Sequence, residues 1–115
     1  MAIEKTDVVD AVGIEKSSGD VVLTIADFQD WESSETQHLQ MLQEKLNAYQ
    51  RFIESGQLLE AYPSAKGRRL VINIVGRCEP SAKAMRLLAI ARQSFEAAGI
   101  GFRFQQHAGD STDVV

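Results

Sequence analysis

The segment from Gly19 to Gly56 constrains the fold of this chain more than any other. It holds a short apolar stretch, an acidic and aromatic turn, and then a long amphipathic pattern. In that pattern, large apolar residues recur every three or four positions, at Leu39, Leu42, Leu46, Tyr49 and Ile53. This spacing predicts an α-helix of about six turns that buries one face. A strand followed by such a helix predicts a fold that mixes α and β structure.

The ends and flanks of this helix are also indicated by the sequence. Ser34 and Gln37 have the spacing of a capping box, so the helix is predicted to begin at Ser34, and Gly56 is expected to end it. Lys45 falls between the apolar positions and is expected on the solvent-facing side. Met41 and Phe52 widen the apolar stripe. We therefore expect that the flank of helix 34–55 could also form a homodimer contact.

Four stretches have the composition of β-strands. The first runs from Asp7 to Glu15 and the second from Val21 to Ala26, with alternating residues. The third, Leu70 to Val75, is almost continuously apolar and β-branched, which is typical of an interior strand. Its polar residue, Asn73, is expected on the less buried face of the sheet, with a buried amide in a network or ligand site as the alternative. The last, from Ile100 to Gln105, alternates apolar with mostly polar residues.

A second helix is predicted between the last two strands. Glu79-Pro80 is expected to open it, because proline at the first helical position has its φ already set, and Gly99 to end it. The short first connection favours an antiparallel hairpin, whereas each helix carries the chain back so that the later strands run parallel. The predicted fold is α+β, in the order β-β-α-β-α-β, with two helices on one face of a four-stranded mixed sheet. Residues 1–106 are expected to form one globular domain and residues 107–115 a flexible tail.

Composition limits the classes of partner. The chain has 115 residues, a net charge of -4 and a pI near 5.1, and nucleic acids and anionic membranes both require a concentrated basic face. We therefore expect neither partner. The single cysteine excludes an internal disulfide and favours a reducing compartment. The first residues lack the apolar run of a signal peptide, so a cytoplasmic location is expected.

Several segments together resemble a known family. They are Val8 to Ile14, Gly19 to Ile25, Asp27 to Trp31, Leu42 to Tyr49, Phe52 to Gly56 and Tyr62-Pro63. This pattern looks like a family of small bacterial proteins that is classified only as a domain of unknown function, and the similarity extends from Asp7 to Phe104. The resemblance implies a standalone bacterial domain of about this length. It implies no activity, cofactor or catalytic residue.

A candidate site is expected where the predicted parallel strands end, because open α/β sheets bind ligands at the carboxyl ends of their strands. Two loops place chemically useful side chains at this edge: Asp27, Phe28, Asp30, Trp31, Arg77 and Cys78. We expect Arg77 to form a structural salt bridge with Asp27 or Asp30. One alternative is a ligand or partner site, in which Trp31 gives an apolar contact and Arg77 a bidentate anchor. The other is a cation held by the acids, although no calcium-loop spacing is present.

Neither Trp31 nor Cys78 has a single interpretation. Trp31 could plug the core at the end of the sheet or stand on an interaction surface.

Cys78 lies beside Arg77 and before the predicted second helix, the environment of a reactive thiolate. His38, expected to be exposed, and His107, in the predicted tail, lack a spacing that defines a Cys-His pair, so Cys78 is interpreted as a packing residue. Because phosphate-loop and zinc-site spacings are also absent from the sequence, we expect no catalytic residue, metal or cofactor.

Two function classes are consistent with these patterns. The first is a non-catalytic protein-interaction or assembly module, of the accessory or immunity type, that uses an acidic surface and the aromatic residues Phe28 and Trp31. The alternative is a small-molecule-binding protein or minor enzyme with its site near Asp27, Trp31 and Arg77. A pocket enclosed by those residues would favour the alternative, and a flat acidic face would favour the first class.

Overall fold

The computed structural model describes residues 11–27, 29, 31 and 34–106. These residues form four strands and three helices, with a 3₁₀ turn at Pro63–Ala65. In chain order they are β1 Ala11–Ile14, β2 Val21–Asp27, α1 Glu35–Glu54, α2 Gln57–Ala61, β3 Leu70–Gly76, α3 Ala82–Ala97 and β4 Gly101–Gln106. The predicted α+β class is confirmed. Residues 7–10 of the first predicted strand and the predicted tail, 107–115, lie outside the described residues.

The four strands form one mixed sheet in the order β1-β2-β3-β4. β1 pairs antiparallel with β2, whereas β2, β3 and β4 are parallel, as predicted. The register places Leu23 beside Ile72, and Ile72 beside Phe102. Periodicity alone did not predict the strand order. The order is sequential because α1 and α3 each return the chain to the next position in the sheet.

The core lies between one face of the sheet and the two long helices. Alternate residues of the strands, such as Leu23 and Ile72, meet Leu42 and Leu46 from α1. Leu88, Ala91 and Phe95 from α3 join the same cluster. Met41 and Phe52, on the flank of α1, are half-buried and pack against this cluster. None of the described helices is both long and apolar enough to cross a membrane.

The helix ends differ in detail from the sequence-based expectations. Ser34 is the N-cap residue of α1, but its hydroxyl forms no capping hydrogen bond, so the predicted capping box is wrong. Gly56 follows α1 with a φ of 88°, a conformation that glycine adopts without strain. The second long helix begins at Ala82 and not at Pro80, because the Ser81 hydroxyl accepts a hydrogen bond from the Ala84 N–H at 3.1 Å.

The other face of the sheet carries a polar row. Thr24, Asn73 and Arg103 are neighbours in the strand register. Asn73 lies on this face, as predicted, and it is also buried and bonded: Arg103 Nε donates to Asn73 Oδ1 at 3.2 Å. Arg103 Nη2 lies 3.6 Å from a carboxylate oxygen of Glu15. These contacts connect the strand β4 to the turn after β1.

Candidate functional site

Asp27, the last residue of β2, forms a buried pair with His38 in the first turns of α1. His38 Nε2 lies 2.7 Å from each carboxylate oxygen of Asp27. The side chains of Asp27 and His38 are 5% and 1% exposed. We assign the shared proton to Nε2, because an ionised carboxylate only accepts hydrogen bonds. The contact is thus a charge-assisted hydrogen bond in a site shielded from water.

Trp31 covers this pair. Its ring stacks on the His38 imidazole with 3.4 Å between centroids and 12° between planes. Trp31 is 8% exposed and belongs to the core cluster. Of the two roles that the sequence leaves open for Trp31, the structure shows the core role. We call Asp27, Trp31 and His38 the Asp-His-Trp cluster.

The sequence contains a signal for this cluster. Asp27 follows Leu23 and Ile25 at two-residue steps, so it lies on the helix-facing side of β2. His38 precedes Leu42 by four residues, so it continues the apolar stripe of α1 towards its N-terminus. The expectation that His38 is exposed is therefore wrong. A polar residue in phase with a buried stripe was the observation that should have placed it in the interior.

The expected salt bridge of Arg77 is with Asp27 or Asp30. Arg77 does not pair with Asp27, whereas Asp30 lies outside the described residues, so a pair with Asp30 stays a prediction. The Asp27 carboxylate is bound by His38 and by the Gln29 N–H. A backbone hydrogen bond connects the two loops: the Arg77 N–H donates to the Asp27 carbonyl at 3.0 Å. The Arg77 side chain is exposed and, within the described residues, forms no ion pair. Phe28 and Asp30, the other candidates in the acidic turn, lie outside the described residues.

Cys78 is half-buried and packs against the core cluster. Glu79 and Pro80 separate it from Ser81, the N-cap residue of α3. Because α3 begins later than predicted, Cys78 is three residues from the helix N-cap in sequence and not directly before it. The interpretation of Cys78 as a packing residue remains the simpler one.

Lys45 and Tyr49 are two further polar residues of α1 whose surroundings were not anticipated. Lys45 is 0% exposed, and its Nζ lies 5.9 Å from the centroid of the Tyr49 ring. The Tyr49 hydroxyl donates to the backbone carbonyl of Thr24 in β2. The expectation that Lys45 faces solvent is wrong, because Lys45 follows His38 by seven residues and so lies on the same buried face.

The Asp-His-Trp cluster joins β2 to α1 through polar atoms that are buried within the fold. Among the described residues, every buried side-chain nitrogen and oxygen has a hydrogen-bond partner. In the same part of the chain, no three His, Cys, Asp or Glu side chains gather closely enough to hold a metal ion. The geometry therefore supports a structural role, in which the cluster fixes the turn between the strand and the helix.

A second feature lies between α3 and the edge strand β4. It is a groove of about 370 Å³ lined by Glu79, Pro80, Met85, Leu88, Ala89, Arg92, Phe102 and Phe104. Most of these side chains are apolar, and Met85 is 50% exposed. We call this feature the α3–β4 groove. Its lining combines the buried Phe102 and half-buried Phe104 rings with an exposed methionine, the composition of a protein contact surface.

The groove runs beside a free strand edge. β4 is the last strand of the sheet, and among the described residues no strand pairs with its outer side. Arg92 reaches this edge from α3: its Nη1 donates to the Phe102 carbonyl at 3.1 Å, and its guanidinium carbon lies 5.6 Å from the centroid of the Phe102 ring. Arg92 also lies 3.7 Å from a carboxylate oxygen of Glu96. One polar side chain thus touches the edge, and the rest of the groove is mostly apolar.

Comparison with known families places the chain in one of them. Residues 1–108 match the Family of unknown function (DUF6572). The chain belongs to this family. The resemblance noted in the sequence to a domain of unknown function is therefore confirmed. No curated protein and no solved structure matches this DUF6572 chain.

Proposed function

We propose that this DUF6572 chain is a non-catalytic protein-interaction or assembly module of the bacterial cytoplasm, and that it contacts its partner through the α3–β4 groove. The observation that carries the proposal is an apolar groove beside an unpaired strand edge. The free cysteine and the negative net charge support a reducing, soluble environment. The function class is the one that the sequence favours, but the contact surface is the α3–β4 groove and not the acidic turn with Phe28 and Trp31.

The groove has the two elements of recognition by strand addition. In that mode, an extended segment pairs with the backbone of a sheet edge, while neighbouring pockets take alternate side chains of the segment. β4 supplies the edge, and Phe102 and Phe104 with Met85 of α3 supply the apolar wall. Exposed edges of this kind pair readily with other chains unless charged residues, proline or a bulge protect them.

The acidic turn is a weaker candidate for the contact surface. Trp31 is buried on His38, so its ring is withdrawn from solvent. The alternative function, a small-molecule site near Asp27, Trp31 and Arg77, loses support for the same reason. Two of its three residues are engaged inside the core, and the third points to solvent.

A pair of glutamate substitutions tests the proposal. Met85 and Ile90 are both exposed residues of α3, at 50% and 65%, but only Met85 lines the groove. We expect Met85→Glu to reduce the partner that co-purifies with the native protein at least about tenfold, because a charge is placed in an apolar contact. Ile90→Glu is the matched control and should leave the amount unchanged. Equal recovery of the same partner by both variants would contradict the proposal.

A further inference from the structure

We propose that the partner seated on the α3–β4 groove is a second copy of this chain, joined by antiparallel pairing of the two β4 strands around a two-fold axis. The inference rests on the proposed function, because it names the occupant of the same groove. It follows from the direction of the backbone groups on β4 and from the order of the charges along the groove.

The contact of Arg92 shows which residues of β4 face outward. The Phe102 carbonyl accepts from Arg92, which reaches β4 from the groove, so this carbonyl points away from β3. The backbone groups of successive strand residues point to opposite sides. Phe104 and Gln106 therefore also face outward, whereas Arg103 and Gln105 bond towards β3.

Only one register pairs all the outward residues. With Phe104 on the two-fold axis, Phe104 lies opposite Phe104 of the copy, and Phe102 lies opposite Gln106. A register centred on Arg103 would leave Gln106 unpaired and would bring two arginines face to face, which is unfavourable. The Phe102 carbonyl, which has a second lone pair, can accept from the Gln106 N–H of the copy. The sheets of the two copies then join into one.

The charges of the groove are self-complementary in this arrangement. Glu79 lies just before α3, beside the carboxyl end of β4. Arg92 lies beside Phe102, near the amino end of β4. Because a two-fold axis reverses the direction of the groove, Arg92 of one copy faces Glu79 of the other. Met85 and Ala89 lie between these ends and meet the same residues of the copy. The same surface thus provides both halves of the contact.

The apolar part of the groove is needed for this contact to persist in water. Two edge strands paired alone are marginally stable. Burial of the exposed Met85 side chain and of the phenylalanine edges adds apolar area to the contact and so stabilises it. We therefore expect a reversible dimer whose population rises with protein concentration.

A charge-swap cycle measured by sedimentation velocity tests this inference. We expect the native chain to form dimers as its concentration is raised to high micromolar. Glu79→Arg alone and Arg92→Glu alone should each weaken dimerisation at least about tenfold, because each places like charges together. The combined swap should bring the dimer back towards native affinity, since the opposite charges face each other again. Arg92→Glu also removes the contact with Glu96 within one copy. Because the single and the double variant both lack that contact, its loss cannot explain a difference between them.

Two further variants separate loss of pairing from loss of folding. Gln106→Pro removes an N–H that faces outward, so it should abolish the dimer while the melting temperature changes little. Ile90→Glu, outside the groove, should dimerise like the native chain. The inference would be overturned if the native chain were monomeric, or if the double swap did not restore the dimer. It would also be overturned by a dimer that none of these variants weakens, such as one formed through the flank of helix 34–55. The proposed function survives that result if Met85→Glu, and not Ile90→Glu, still loses a co-purifying partner of different sequence.

Discussion

His38 shows how one polar residue can be built into an apolar interior. Its imidazole contacts the Asp27 carboxylate along one edge and the Trp31 ring on one face. The hydrogen bond offsets the cost of burying a carboxylate, and the stacked indole keeps water from competing with it. The Gln29 N–H also donates to Asp27 Oδ1, at 3.3 Å, but His38 is the closer partner, so its removal would cost the buried carboxylate a strong hydrogen bond.

Substitution of His38 is expected to be costly for this reason. His38→Leu leaves the Asp27 carboxylate without its donor from α1, and should lower the free energy of unfolding by about 3 to 5 kcal/mol. His38→Gln, which retains an amide donor, should cost clearly less. Urea unfolding followed by the fluorescence of Trp31, the only tryptophan, measures both variants. Equal losses in the two variants would contradict a role for the hydrogen bond.

At the scale of the element, α1 was the most predictable part of the chain and also the source of two errors. Leu42, Leu46 and Tyr49 are buried, as their spacing predicts. His38 and Lys45 share that face, but residue type led us to place them in solvent. Spacing along the helix predicts which face a residue lies on. Whether a polar residue on that face is buried depends on its partners from other elements. Asp27 is such a partner for His38, and the sequence does not show that contact.

The start of α3 illustrates the same limit for helix ends. Pro80 and Ser81 are both suitable at a helix start, one by its φ and the other by its hydroxyl. The structure uses the Ser81 hydroxyl, which bonds to Ala84. Strand positions were easier to predict, because the almost continuously apolar, β-branched run from Leu70 to Val75 is typical of an interior strand.

The assignment of the buried face of α1 has a direct test. Leu46 is buried in the core cluster, whereas Gln50, four residues later, is half-buried and bonds to Glu54 on the surface of the helix. Leu46→Asp should unfold the domain at room temperature, because burial of an unpaired charge costs several kcal/mol, a large part of a typical stability. Gln50→Ala should leave the melting temperature within a few degrees. Similar melting temperatures for the two variants would refute the assignment.

At the scale of the whole molecule, the two sites lie on different parts of the fold. The Asp-His-Trp cluster closes the junction of β2 with α1. The α3–β4 groove lies at the last strand of the sheet, where the backbone is free to pair within the described part of the chain. The sequence predicted the parallel order of the later strands, but not that β4 would be an edge. Strand order depends on where each crossover ends, and local patterns do not determine that position.

Amide hydrogen exchange, resolved residue by residue by NMR, tests most directly whether the β4 edge is a protein contact surface. In dilute solution, the outward amides of Phe104 and Gln106 should exchange rapidly, whereas those of Arg103 and Gln105, bonded towards β3, should be protected. When the partner occupies the groove, or at the high concentration at which copies associate, Phe104 and Gln106 should become protected and the other two should change little. Unchanged rapid exchange of Phe104 and Gln106 in the presence of a bound partner would contradict the account.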